Sequence, residues 1–81
     1  MDLNLQGKRV MLSGGGRGSG LAIAGRFLGE GARVAFYARG EEGVDHALVE
    51  LGNKGEVYGG AVDAADHGEV RAWVDRMALQ L

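Results

Sequence analysis

Residues 8–31 read KRVMLSGGGRGSGLAIAGRFLGEG, and this stretch decides the fold. The apolar run at residues 8–13 stops at a series of glycines, which predicts a short buried strand. From residue 18 to residue 30 the apolar side chains recur every three or four positions, which predicts a helix with Gly31 as its C′ residue. A strand joined to a helix by a glycine-rich loop is typical of an alternating α/β chain.

Two further strands are predicted downstream. Residues 33–38, RVAFYA, are apolar, β-branched and aromatic, as strand residues commonly are. Residues 56–62, EVYGGAV, predict a poorer strand, because Gly59 and Gly60 weaken its middle. The strands are continuous apolar runs rather than alternating ones, and this pattern favours a parallel sheet that is covered on both faces.

Two further amphipathic helices follow these strands. The second helix has acidic residues in its first turn and ends just before Gly52. The third helix begins after Asp66, which has capping-box spacing from Glu69, and runs into the C-terminus. The apolar positions of these two helices are Val44, Ala47, Leu48 and Leu51, and then Val70, Trp73, Val74, Met77, Ala78 and Leu81. The order βαβαβα predicts right-handed crossovers, helices on both faces and one half of a doubly wound α/β fold.

The composition is that of one small domain. The chain has 81 residues with 16 glycines, no cysteine and a formal net charge of −2. The lack of cysteine excludes disulfides and thiolate metal sites, and the interspersed charges give no sign of nucleic-acid or anionic-membrane binding. No signal peptide or membrane span is recognisable, so a cytoplasmic location is expected. A small core and an unpaired edge on the first strand predict marginal stability or self-association.

The loop at residues 13–20, SGGGRGSG, can be compared with three phosphate-binding patterns. A P-loop, GxxxxGK[ST], fails because Leu21 and Ala22 stand where Lys and Ser or Thr are required. The GxGxxG pattern is met at its first two glycines, but Ser19 takes the third place and no acid follows about 20 residues on. The pattern [TS]GxxxGxG is matched without a gap by Ser13, Gly14, Gly18 and Gly20.

On these residues the chain resembles the N-terminal part of the short-chain dehydrogenase/reductase family. The dinucleotide loop of that family, TGxxxGxG, is matched with Ser13 for the usual Thr, and Ser19 stands where Ile is usual. The family also has an Asp after the third strand, often within DxxD, and residues 63–66 read DAAD. The resemblance implies a Rossmann-like three-layer βαβαβα fold. It further implies that residues 1–81 are a partial NAD(P)-binding domain that stops before the fourth strand and the catalytic half.

The resemblance also assigns cofactor contacts to particular positions. In the family, the glycine loop and the helix N-terminus meet the pyrophosphate, and the Asp after the third strand accepts a hydrogen bond from the adenine amino group. NAD-preferring members carry an acid at the end of the second strand, where this chain has Ala38 followed by Arg39. Together with Arg17 in the loop, this favours NADP(H). The expected cofactor-binding residues are Ser13, Gly14, Gly16, Arg17, Gly18, Ser19, Gly20, Arg39, Asp63 and Ala64.

No catalytic residue is assigned within the chain. The family uses a Tyr within YxxxK, but Tyr37 and Tyr58 are followed four positions later by Glu41 and Val62. The active site is therefore expected beyond Leu81. Two functions stay open. The first is the NADP(H)-binding part of an oxidoreductase acting on an alcohol or carbonyl substrate, and the second is a noncatalytic module that holds a dinucleotide or docks on a partner through its open sheet edge.

Overall fold

A computed structural model describes residues 6–14 and 18–81 of the chain. The strands are β1 (Arg9–Ser13), β2 (Arg33–Ala38) and β3 (Val57–Ala61). The helices are α1 (Gly18–Gly29), α2 (Glu41–Leu51) and α3 (His67–Gln80). The predicted alternation of strands and helices is confirmed. Within the described ranges, no helix has both the length and the apolar character needed to cross a membrane.

The three strands form a parallel sheet in the order β1-β2-β3. Ser13 pairs with Tyr37, and Tyr37 pairs with Gly60. The strands therefore end almost in step, and the loops that follow them leave the same end of the sheet. Ligands of open α/β sheets bind outside this carboxyl end, so the register brings distant parts of the sequence to one place.

β1 is an edge strand, and the prediction that it is buried is wrong. Its side chains alternate between the two faces of the sheet, as the pleat of a strand requires. Val10 and Leu12 are half-buried on the face that carries α1 and α2, whereas Met11 on the other face is 39% exposed. On that face α3 leaves a hollow of about 310 Å³ beside Arg9 and Met11. The described residues therefore bury only some of the apolar side chains of β1.

Helices cover both faces of the sheet, as predicted, but they build two different cores. The α1/α2 face buries a cluster made of Ala24, Leu28, Val34, Phe36, Val44, Ala47 and Leu51. The α3 face buries a smaller cluster made of Ala35, Val62, Trp73 and Leu81. The ring of Trp73 meets the ring of Tyr37 edge to face, with the centroids 5.1 Å apart and the planes at 69°.

The predicted apolar stripe of α3 is correct only in part. Trp73 and Leu81 are buried, but Val74 is 37% exposed and Ala78 is also exposed. Among the described residues no second helix lies beside α3 on its face of the sheet. Side chains on the flank of α3 therefore have no neighbour to cover them, and only the narrow line that faces the strands is buried.

The two glycines of β3 leave room for neighbouring side chains. A Cβ on Gly59 would lie 2.7 Å from Cζ of Phe36 and 2.9 Å from Cγ1 of Val44. A Cβ on Gly60 would lie 2.5 Å from Nε1 of Trp73. From the sequence, Gly59 and Gly60 only weaken the strand. In the structure they are needed because side chains pack closely against them on opposite faces of the sheet.

Candidate functional site

A cleft of about 370 Å³ opens at the carboxyl ends of the three strands. It is lined by residues 13–14, 37–39 and 62–65, which follow or end β1, β2 and β3. The structure thus gathers five of the ten predicted site residues: Ser13, Gly14, Arg39, Asp63 and Ala64. Gly18, Ser19 and Gly20 form the first turn of α1 instead. Gly16 and Arg17 lie outside the described residues, so their predicted roles stay predictions.

The described part of the glycine loop has the backbone that a close approach to phosphate requires. Gly14 and Gly18 have φ angles of 78° and 61°, in the left-handed region that side chains disfavour. Apart from the glycine itself and its chain neighbours, no atom of the described residues lies within 4 Å of the Cβ position at either glycine. The backbone at these two positions is therefore compatible with a phosphate group held against the main chain.

The start of α1 favours an anion at this position, and the start of the loop is anchored to the sheet. The N-terminus of α1 carries the positive end of the helix dipole, and its first turn contains no acidic residue to oppose it. The Gly14 N–H donates to the carbonyl of Tyr37 over 2.7 Å, which extends the pairing of β1 and β2 by one bond. The start of the loop is thereby fixed to the sheet.

Arg39 supplies the positive charge on the cleft wall after β2. Its side chain is exposed, and among the described residues no carboxylate oxygen lies within 4 Å of its guanidinium nitrogens. Ala38, the last residue of β2, also lines the cleft and brings no charge. Glu41 and Glu42 begin α2 nearby and are exposed to solvent. A guanidinium in this position can make two parallel hydrogen bonds to a phosphate group.

The turn after β3 holds Asp63 in one conformation. The Ala65 N–H donates to Oδ1 of Asp63 over 2.9 Å, and the Asp66 N–H donates to the Asp63 carbonyl over 2.9 Å. The Val62 N–H donates to the carbonyl of Ala38 over 2.9 Å, which anchors the turn to β2. The second carboxylate oxygen of Asp63 is left as an acceptor at the cleft, where an amino group of a ligand could bind.

Asp66 and Glu69 lie at the N-terminus of α3, and the helix cap predicted at Asp66 is confirmed. Oδ1 of Asp66 accepts from the Glu69 N–H over 3.1 Å. In a capping box the carboxylate of the third helical residue returns to the N–H of the cap residue. Here the Glu69 carboxylate reaches further back and accepts from the Asp63 N–H over 3.2 Å.

Tyr37 is a lining residue that the sequence analysis did not assign to the site. The sequence excludes a catalytic role for Tyr37, because Glu41 stands four positions on, and its local sequence indicates no other role. Its position next to Ser13 across β1 and β2, at the carboxyl end of both strands, is the signal that could have identified it. Its ring also packs on Trp73, so it connects the cleft wall to the α3 core.

Tyr58, the other tyrosine, lies outside the cleft. It is not among the lining residues of the cleft, and its hydroxyl donates to Oε2 of Glu56 over 2.9 Å. This hydrogen bond to a carboxylate raises the pKa of Tyr58 above its usual value, with smaller contributions from desolvation and from the negative charge of Glu56. A raised pKa is the opposite of what a tyrosine acid/base needs near neutral pH.

Comparisons with known proteins agree with this geometry. The family model described as short chain dehydrogenase matches residues 8–81. The uncharacterized oxidoreductase YvrD of Bacillus subtilis (strain 168) is 39% identical over 77 residues, which are 95% of this chain and 29% of that protein.

Two solved structures extend the comparison to three dimensions. L-Sorbose reductase from Gluconobacter frateurii, complexed with NADPH and L-sorbose, has a TM-score of 0.85 at 36% identity, covering 94% of this chain and 30% of that one. NAD⁺-bound xylitol dehydrogenase has a TM-score of 0.90 at 26% identity, again covering 94% of this chain and 30% of the other. The chain therefore spans less than a third of the length of these relatives.

Proposed function

Because the chain belongs to the short chain dehydrogenase family, we propose that it is the NADP(H)-binding part of an oxidoreductase that acts on an alcohol or carbonyl substrate. The bound dinucleotide supplies the hydride chemistry, and the residues of this chain bind and orient it. The cleft at the carboxyl ends of β1, β2 and β3 carries this proposal, since it joins the glycine loop, Arg39 and Asp63. Activity on a substrate is a property of the whole protein and is part of the proposal.

Each part of the cleft has a proposed contact. The glycine loop and the first turn of α1 hold the pyrophosphate through main-chain N–H groups. The residues in this group are Ser13, Gly16, Gly18, Ser19 and Gly20. Gly14 allows the close approach, while its own N–H bonds to the Tyr37 carbonyl. Arg17 in the same loop adds a positive charge that favours NADP(H). Asp63 accepts from the adenine amino group, and Ala64 follows it along the same wall. The left-handed φ angles of Gly14 and Gly18 and the hydrogen-bonded Asp63 turn support these assignments.

Preference for NADP(H) is proposed from the charges around Ala38 and Arg39. NADP carries a 2′-phosphate with close to two negative charges above pH ~6. Arg39 on the cleft wall would pair with it, and Ala38 brings no acid to repel it. Similar folds occur with NADPH in the L-sorbose reductase and with NAD⁺ in the xylitol dehydrogenase, so the preference rests on the charges of this chain itself.

Titration of both dinucleotides against the full-length protein at fixed salt tests the proposal. Arg39→Ala should weaken NADP(H) binding about 10- to 150-fold, because it removes a charged hydrogen-bond donor, while NAD(H) binding stays within about twofold. Ala38→Asp should reverse the preference by adding an acceptor for a ribose hydroxyl and a charge that repels phosphate. Arg76→Ala is the control, since Arg76 is exposed and lies about 13 Å along α3 from the cleft end of that helix.

Three outcomes would count against the proposal at different levels. Equal losses for both cofactors in Arg39→Ala would mean that Arg39 supports the loop and does not read the phosphate. Binding of neither dinucleotide to the wild type would contradict the cofactor role. Tight NADPH binding without turnover of any alcohol or carbonyl compound in a broad panel would favour the noncatalytic module.

A further inference from the structure

The turn between β3 and α3, residues 62–66, is tied to the helix that follows it by the side chain of Glu69. One carboxylate oxygen of Glu69 accepts from the Asp63 N–H over 3.2 Å. The N–H of the same residue donates to Oδ1 of Asp66 over 3.1 Å. Glu69 therefore contacts both ends of the DAAD segment, once through its side chain and once through its main chain.

This arrangement departs from an ordinary capping box in a way that concerns the cleft. The cap N–H of Asp66 donates to the Asp63 carbonyl, so it does not need the carboxylate of Glu69. That carboxylate is left to hold the main chain of Asp63, which is a lining residue of the cleft. Helix capping alone does not require this contact, because Asp66 already caps α3.

The contacts around Asp63 fix both its main chain and its side chain. Glu69 holds the N–H of Asp63, Asp66 binds its carbonyl, and Ala65 occupies Oδ1. Only the second carboxylate oxygen keeps its full capacity to accept from a ligand. A carboxylate fixed in this way suits a purine with an amino group at C6, whereas a C6 carbonyl would face it acceptor to acceptor and be disfavoured.

We propose that Glu69 is a positioning residue that orients Asp63 for recognition of the 6-amino group of the cofactor's adenine ring. The proposal rests on the proposed function, because it assumes that the cleft holds a dinucleotide. Glu69 touches no ligand in this role and acts through the Asp63 main chain. Its effect is therefore confined to the discrimination between adenine and a 6-oxo purine, and the pyrophosphate and 2′-phosphate contacts do not depend on it.

The test compares NADPH with reduced nicotinamide hypoxanthine dinucleotide phosphate, which carries a carbonyl in place of the 6-amino group. Both are titrated into the full-length wild type, Glu69→Ala, Glu69→Gln and Asp75→Ala. Glu69→Ala should reduce the preference for NADPH about two- to tenfold, the range expected for one lost hydrogen bond. Glu69→Gln keeps an amide oxygen that can accept from Asp63 and should restore most of the preference.

Asp75→Ala is the matched control, since it removes an exposed acid from the same helix at a position remote from the turn. It should leave the preference between the two dinucleotides unchanged. If the ratio of the affinity for NADPH to the affinity for the hypoxanthine analogue is the same in Glu69→Ala as in the wild type, the proposal is overturned. Equal losses of affinity for both dinucleotides have the same meaning. In either case the dinucleotide site itself stays in place. Absence of binding of either dinucleotide to the wild type would instead overturn the proposed function, and this inference with it.

Hydrogen exchange in the ligand-free protein gives an independent readout. The Asp63 amide should exchange faster in Glu69→Ala than in the wild type and in Asp75→Ala, because its acceptor is lost. Unchanged exchange at Asp63 in Glu69→Ala would show that the contact does not hold the turn in solution, and the positioning role would be wrong whatever the cofactor.

Discussion

The two faces of the sheet are built differently, although each is covered by helices. On the α1/α2 face many medium-sized side chains share the burial, with Phe36 near the centre. On the α3 face the indole of Trp73 is the largest buried side chain, and it packs directly against the main chain of Gly60. The α3 helix also carries Glu69, which contacts both Asp63 and Asp66 in the turn after β3. The part of the cleft after β3 thus depends on the face with the smaller core.

The largest expected effect lies at the centre of the α1/α2 face. Phe36 has no exposed surface, so Phe36→Ala should lower the free energy of unfolding by about 3–5 kcal/mol through lost burial and the cavity left behind. Val49 on the outer side of α2 is 78% exposed, and Val49→Ala should change the free energy by less than about 0.5 kcal/mol. Urea unfolding followed by circular dichroism measures both, and equal losses would contradict the assigned core.

A smaller change in the free energy of unfolding is expected where Gly60 packs closely against Trp73 on the α3 face. A Cβ at Gly60 would lie 2.5 and 2.8 Å from Nε1 and Cδ1 of Trp73, so Gly60→Ala should cost about 1–3 kcal/mol of unfolding free energy through overpacking. Gly29→Ala is the matched control, because apart from its chain neighbours and the backbone of its own helix no described atom lies within 4 Å of its Cβ position. In a helix that substitution should stabilise the protein by up to about 1 kcal/mol.

A double-mutant cycle locates the cause of the Gly60→Ala loss. Trp73→Ala removes both atoms that a Cβ would meet, Nε1 and Cδ1, so the Gly60→Ala loss should be at least about 0.5 kcal/mol smaller in the Trp73→Ala background. Gly59→Ala contacts the other face and should show no such recovery. Additive losses for Gly60→Ala and Trp73→Ala would mean that the two residues are not in close contact.

Trp73→Phe alone should have a still smaller effect. The Nε1–H of Trp73 is buried, and among the described residues no acceptor bonds to it. A buried donor without a partner costs about 1–3 kcal/mol, which offsets the burial lost with the smaller ring. The net change in unfolding free energy should stay within about 1 kcal/mol, against about 3–5 kcal/mol for Trp73→Ala. A Trp73→Phe loss as large as that of Trp73→Ala would point to an acceptor for this N–H.

The smallest expected effect is a pH dependence at Tyr58, on the margin of the α3 core. Its hydrogen bond to Glu56 raises its pKa in the folded protein, so the stabilisation is fully present below the unfolded pKa of about 10. It is lost as the pH rises through the higher folded value. The stability difference between wild type and Tyr58→Phe should therefore shrink in strongly alkaline solution. An alkaline titration by tyrosinate absorbance, together with unfolding at each pH, would detect it, and a difference independent of pH would contradict it.

The sequence predicts the fold well because local signals agree with each other. The glycine loop, the cap at Asp66 and the two-turn spacing of Val44 and Leu51 each mark an element or its end, and the structure places them accordingly. The convergence of Ser13, Arg39 and Asp63 could also be predicted, since parallel strands open their carboxyl ends together.

Other features depend on which elements become neighbours, and periodicity does not contain that information. The exposure of Met11 follows from the place of β1 at the edge of the sheet, and the exposure of Val74 from the open flank of α3. Gly60 makes room for a side chain 13 positions away, and Glu69 reaches past the cap residue to Asp63. In each case a contact in three dimensions decides the role of a residue whose local sequence suggests a different one.

The matching ends of the three strands have a further consequence for the stability of the protein. The cleft is made of loops that follow β1, β2 and β3, and these loops are adjacent only in the folded sheet. A ligand that contacts all three binds the native state and not the unfolded chain. At a hundred times its Kd such a ligand adds about 2.7 kcal/mol to the free energy of unfolding. The cofactor would then act as a folding partner, and its cellular concentration would help to set how much of the protein survives proteolysis.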